Sequence, residues 1–134
     1  METNMKREKW LIWKPMEEIP TTLYLEELKD NYNGLTIGLK EDQNSPLLVI
    51  HFDGYLSYRV TDEGNLLKTL NEIENGEDLG KSTLFTVENS LYLQWFHEQS
   101  FDIHKDDETI HYLIATPNDV VEVLYVSSPT LMWS

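Results

Sequence analysis

Three of the four histidines, His97, His104 and His111, recur at intervals of seven, and carboxylates crowd around them: Glu98, Asp102, Asp106, Asp107 and Glu108. Imidazole nitrogen and carboxylate oxygen together make a donor set for a divalent cation. The spacing argues against that use. The three fall on a predicted helix, a loop and a predicted strand, so no single face collects them. No His-x-x-x-His or Glu-x-x-His run fixes two ligands in advance. The acid run Asp102-x-x-x-Asp106-Asp107-Glu108 lacks the glycine and terminal glutamate that order an EF-hand loop. No metal and no cofactor are expected.

His51 and Asp53 flank Phe52 at the end of a predicted strand and point to the same side. A carboxylate that orients an imidazole is part of acid–base machinery. Without a nucleophile or an oxyanion hole the pair makes no enzyme, and Asp53 is better spent in a turn. Ser57, Ser82, Ser90 and Ser100 sit in no Gly-x-Ser-x-Gly elbow, and Ser90 reads as a helix cap. Gly76 and Gly80 flank Glu77 and Asp78, which repel a phosphate. No residue is assigned a catalytic role.

The elements that would position these groups are legible in outline. Lys9–Lys14 reads as a first strand stopped by Pro15, after a loosely ordered arm over residues 1–9. Pro15–Ile19 reads as one helical turn. Thr22–Asp30 is ambiguous, because Leu23, Leu25 and Leu28 break strict alternation. Asn33-Gly34 marks a turn into the strand Leu35–Leu39. Leu47–Phe52 and Tyr55–Val60, joined by Asp53-Gly54, predict a two-residue β-hairpin with Tyr55 and Tyr58 on opposite faces. Leu66, Leu67, Leu70 and Ile73 predict one face of a helix over Asn65–Ile73. After the strand Ser82–Val87, Ser90 caps a second helix with Leu91, Leu93, Trp95 and Phe96 as its apolar face. A polar loop over Ser100–Glu108 leads to an antiparallel pair, Ile110–Thr116 and Val120–Val126, turned by Pro117-Asn118-Asp119. Pro129 bends the chain, and Leu131–Trp133 is expected to pack back. The sum is one α+β domain over residues 1–134: a mainly antiparallel sheet of five or six strands with two main helices packed on one face.

Composition narrows the classes. Ten basic residues against twenty-four acidic ones leave a net charge of −14. Such a surface repels nucleic-acid phosphates and anionic lipid, so neither is an expected partner. It attracts a basic protein. The chain has no cysteine, which removes disulfides, thiolate metal sites and a thiol nucleophile. With no apolar stretch near the N-terminus long enough for a signal peptide or a span, a cytoplasmic protein is expected. Trp10, Trp13, Tyr92, Trp95 and Trp133 are more rings than a small core readily hides, and exposed rings ringed by acids suit an interface.

The stretches Phe52–Arg59, Val87–Phe96 and Thr116–Val121 give the chain a further likeness. It resembles small single-domain bacterial proteins of unassigned function, some of which act as immunity partners to toxins. The resemblance implies an immunity role and carries no site residue with it. The charge, the small size, the surplus of rings and the lack of a catalytic motif favour an inhibitor or immunity protein for a basic protein such as a nuclease toxin. The contact residues expected from charge are Asp62, Glu63, Glu74, Glu77 and Asp78 in one acid-rich segment, and Asp102, Asp106, Asp107 and Glu108 in another. The competing class is a small enzyme or ligand-binding domain whose sheet–helix pocket uses His51, His97 or His111. A homo-oligomer of unassigned function is the third.

Overall fold

A computed structural model describes residues 6–134; residues 1–5 of the expected arm lie outside the described residues. Among the described residues the alternation of apolar side chains builds nine strands: β1 (Lys9–Ile12), β2 (Tyr24–Asn31), β3 (Gly34–Lys40), β4 (Leu48–Phe52), β5 (Ser57–Asp62), β6 (Leu84–Glu88), β7 (Ile110–Ala115), β8 (Asp119–Tyr125) and β9 (Thr130–Trp133). Two helices interrupt them, α1 (Leu67–Glu72) between β5 and β6 and α2 (Leu91–Gln99) between β6 and β7.

The expected single sheet is two. One is ordered β1-β6-β7-β8-β5 and the other β2-β3-β4-β9, both antiparallel throughout. Mixed α+β character stands; the sheet count does not. The decisive departure is at Asp53-Gly54. β4 pairs with β3 and β9 in the four-stranded sheet, whereas β5 pairs with β8 in the five-stranded one. The turn carries the chain between sheets and closes no hairpin. Neither residue has the positive φ that a type I′ turn demands. Because β5 begins only at Ser57, Tyr55 and Tyr58 escape the expected opposition: their rings meet edge to face at 4.9 Å.

The inner faces of the two sheets supply the main core. Leu35, Ile37, Leu39, Leu48, Ile50 and Phe52 from one meet Leu84, Tyr112, Ile114, Val121, Val123 and Tyr125 from the other, all buried. Each such side chain is worth about 1.5–3 kcal/mol on burial. Thr22–Asp30 resolves as strand. A bulge between Leu25 and Glu27 inserts one residue, so Leu25 and Leu28 both face this core despite their odd spacing. Gly34 opens β3 at φ +112°, where a Cβ would meet the Phe52 carbonyl oxygen at 2.5 Å. Pro15–Ile19 forms a bend in place of the expected helical turn, with Glu18 at φ +58°.

Both helices lie over the outer face of the five-stranded sheet. Ile73 and Leu70 close a second cluster with Trp10, Phe85, Leu113 and Val120. Asn75 fastens this connection to the sheet edge. Its side-chain oxygen accepts from the Trp10 N–H at 2.9 Å, and its amide donates to the Trp10 carbonyl, extending the ladder beyond β1. Leu67 is exposed and takes no part in the expected face. On α2 the buried side is centred on Tyr92, and Leu91 and Trp95 turn outward. Residues ahead of β1 join the helices: Arg7 donates to the Glu72 and Ile73 carbonyls, and Glu8 accepts from the Leu91 N–H. Among the described residues no helix is long and apolar enough to cross a membrane.

Candidate functional site

Among the described residues, a concentration of chemistry-bearing side chains lies beneath α2, on the outer face of the five-stranded sheet. Strand alternation puts His111 of β7, Glu122 of β8 and Arg59 of β5 on that face. The register places Arg59 opposite Glu122 and Leu113 opposite Glu122, so His111 is Glu122's diagonal neighbour. Ser90, the α2 cap, hangs above them. Its Oγ accepts from the Leu93 N–H at 2.9 Å and lies 2.6 Å from His111 Nδ1. His111 Nε2 lies 2.9 Å from Glu122 Oε1. Arg59 donates to both carboxylate oxygens, at 2.7 and 3.1 Å, and stacks 4.0 Å over the Tyr92 ring. Tyr92 Oη in turn lies 2.5 Å from Ser57 Oγ.

Burial alone would push the Glu122 carboxyl up, but hydrogen bonds from His111 and Arg59 outweigh it and hold the group below its ordinary value. An ionised carboxylate only accepts, so Nε2 carries the proton, and in the neutral ring Nδ1 accepts the Ser90 hydroxyl. Burial would likewise lower Arg59, and the bonds to Glu122 reverse that.

Serine, imidazole and carboxylate in series have the connectivity of a nucleophilic triad. The arrangement cannot turn over a substrate as it stands. Ser90, His111 and Glu122 are all buried, Tyr92 and Arg59 cover them, and the Ser90 oxygen is committed to capping α2. Two clefts elsewhere on the surface are lined by none of Ser90, His111 and Glu122. One of about 200 Å³ runs under the β5–β6 connection past Trp10, Leu70, Leu79 and Phe85. Another, of about 280 Å³, lies between Arg7, Lys68 and Leu91. The geometry is that of a buried polar strut tying α2 to three strands.

The histidines from which the expected sheet–helix pocket would draw, His51, His97 or His111, stand apart. His51 is on the outer face of the other sheet, its Nδ1 2.9 Å from Thr36 Oγ1. His97 lies on α2 with a buried Nδ1 that has no partner among the described residues, and only His111 enters the strut. His104 stacks on Phe96 and pairs with Asp107 at 3.0 Å. No three His, Asp or Glu among the described residues gather as a metal site would require.

The nine acids expected at an interface divide between two connections. In the first, Asp62 accepts from the Gly64 N–H to cap a 3-10 turn, and Glu63 borders the 200 Å³ cleft. The Asn75 amide and then Lys81 hold the Asp78 carboxyl below its ordinary value, while Glu74 and Glu77 are exposed. In the second, between α2 and β7, Asp102, Asp106, Asp107 and Glu108 are all exposed. Sequence reasoning missed Arg59, Glu122 and Phe101, the last held out from this second connection. The signal for Glu122 was available: it is the one charge inside Val120–Leu124.

No protein-family model, no curated protein and no solved structure matches this chain.

Proposed function

We propose that this chain is a protein-binding domain whose surface acids engage a basic partner, as an inhibitor or immunity protein neutralising a nuclease toxin would. One observation carries the reading: reactive side chains and charge are in different places. Ser90, His111 and Glu122 are shut beneath α2, whereas Glu74, Glu77, Asp102, Asp106 and Glu108 stand in solvent without an ion pair among the described residues. Carboxylates presented this way occupy the positions that substrate phosphates would take in a basic cleft, and a net charge of −14 speeds the encounter. The same field disfavours nucleic acid and anionic membrane.

The test is affinity capture from the native host's lysate at low and high salt, followed by titration of the purified captured protein. A single basic protein, bound stoichiometrically and weakened by salt, is the expected result. Neutralising those five acids together should slow its association and flatten the salt dependence. Absence of any stoichiometric basic partner at either salt would sink the reading.

A further inference from the structure

We propose that Phe101 and Ile103, just past the C-terminal end of α2, are the apolar anchor of a docking surface for a basic protein. The proposal rests on the protein-binding reading and names the surface which that reading leaves open.

α2 ends in a pattern that normally belongs to glycine. The Phe101 N–H bonds back to the Glu98 carbonyl at 3.3 Å, and the Asp102 N–H to the His97 carbonyl at 2.8 Å. This pair of bonds is the Schellman closure, whose first residue beyond the cap turns left-handed and is usually Gly. Here that residue is phenylalanine at φ +52°, followed by Asp102 at +59°. A bulky L residue is strained there. The apolar contact that often accompanies such a closure would fall between Asp102 and His97, a polar pair.

The ring gives the fold nothing in return. Phe101 is 91% exposed and Ile103 74%, so neither side chain repairs the strain by burial. Leu91 and Trp95, one turn apart on the solvent side of α2, are each 50% exposed. Along residues 98–108, Glu98, Asp102, Asp106, Asp107 and Glu108 are exposed, and Lys105 is the one lysine or arginine of that segment. Apolar anchors within a charged rim are the anatomy of a protein interface, and aromatic anchors dominate its energy. The rim selects the partner. A basic surface is attracted, and a second copy of this chain, carrying the same −14, is repelled.

The experiment pans a displayed library of random peptides against the full chain at low salt, then measures the enriched peptides by calorimetry on wild type, Phe101→Gly and Ile103→Ser. Enriched sequences should combine Lys or Arg with an apolar residue. Phe101→Gly should weaken them by about thirty-fold, the loss expected of an interface hot spot. The same substitution should raise Tm by about 3 °C as the left-handed strain is relieved, which excludes misfolding as the cause. Basic peptides that bind Phe101→Gly as well as wild type would overturn this surface and leave the basic-partner reading standing. A library that enriches no basic sequence would overturn both. Wild-type self-association in sedimentation, lost in Phe101→Gly, would assign the surface to a second copy and overturn the proposal.

Discussion

His111 on β7 and Glu122 on β8 are diagonal neighbours across one ladder, and their side chains meet at 2.9 Å beneath α2. The contact is polar in a place where the strand alternation otherwise supplies Leu113, Val120 and Leu124. A carboxylate there is tolerated because Arg59 and His111 both donate to it. Glutamine there keeps one acceptor oxygen but sets an amide N–H against a donor, leaving Arg59 or the buried His111 short of a partner. Glu122→Gln should therefore cost about 3 kcal/mol of stability, measured by urea denaturation.

The same pair sets an acid limit. Glu122 titrates below its ordinary value in the folded protein, so the unfolded chain binds the proton first as pH falls. The contribution is complete above the ordinary carboxylate range and is lost as pH drops through the folded value. Stability followed by denaturant midpoint from neutral pH downward should fall less steeply in Glu122→Gln than in wild type. Identical acid limbs would show that Glu122 carries no such linkage.

Ser90 has the neighbours of a nucleophile and the duties of a cap. With its oxygen accepting from Leu93 and its hydroxyl directed at His111, it should resist fluorophosphonate labelling in the folded protein. Ser90→Ala should cost about 1 kcal/mol, the usual value of a helix N-cap. Stoichiometric labelling of Ser90 would show that the cover formed by Tyr92 and Arg59 opens.

Much of the local structure was legible, and what was not has a common cause. The bounds of β7, β8 and α2 followed from alternation, from Pro117-Asn118-Asp119 and from Ser90. Pairing did not. Leu47–Phe52 and Tyr55–Val60 alternate well enough to suit any sheet, and Asp53-Gly54 says only that the chain turns. Which strand receives β5 is decided by Val121 and Val123 of β8, more than fifty residues away. The site was hidden for the same reason. His111 and Glu122 meet only once the β7–β8 register is known, and Arg59 joins them only once β5 has left β4. Leu25 and Leu28 defied periodicity because a bulge, with no sequence signature of its own, separates them.

Asn75 is a side chain acting as a strand. Its amide pairs with both backbone groups of Trp10 and so holds the β5–β6 connection against the sheet. Asn75→Ala should cost about 2 kcal/mol, because the Trp10 N–H and carbonyl lose their partner. It should also let the Asp78 carboxyl rise toward its ordinary value, since the Asn75 bond is the largest cause of its depression. A carbon-detected NMR titration of Asp78 reads this directly. An Asp78 value that does not move would assign the depression to Lys81.

Tyr55 marks the point where the chain leaves one sheet for the other, and its hydroxyl donates to Asp30 of β2 at 2.7 Å. That bond, with burial and the negative charge behind it, pushes the phenol from 10.0 to about 12. A phenolate cannot donate, so ionisation breaks the link between the crossover and β2. Because the folded value is the higher one, the contribution is whole below pH 10.0 and declines as pH rises towards about 12. An alkaline absorbance titration should show a late phenol that disappears in Tyr55→Phe. In Asp30→Asn it should move only part of the way back towards its ordinary value, because the amide still accepts the bond, the largest cause, while the charge is gone. A late phenol that survives Tyr55→Phe would place the effect on another tyrosine, with Tyr58, whose ring meets that of Tyr55, the first to test.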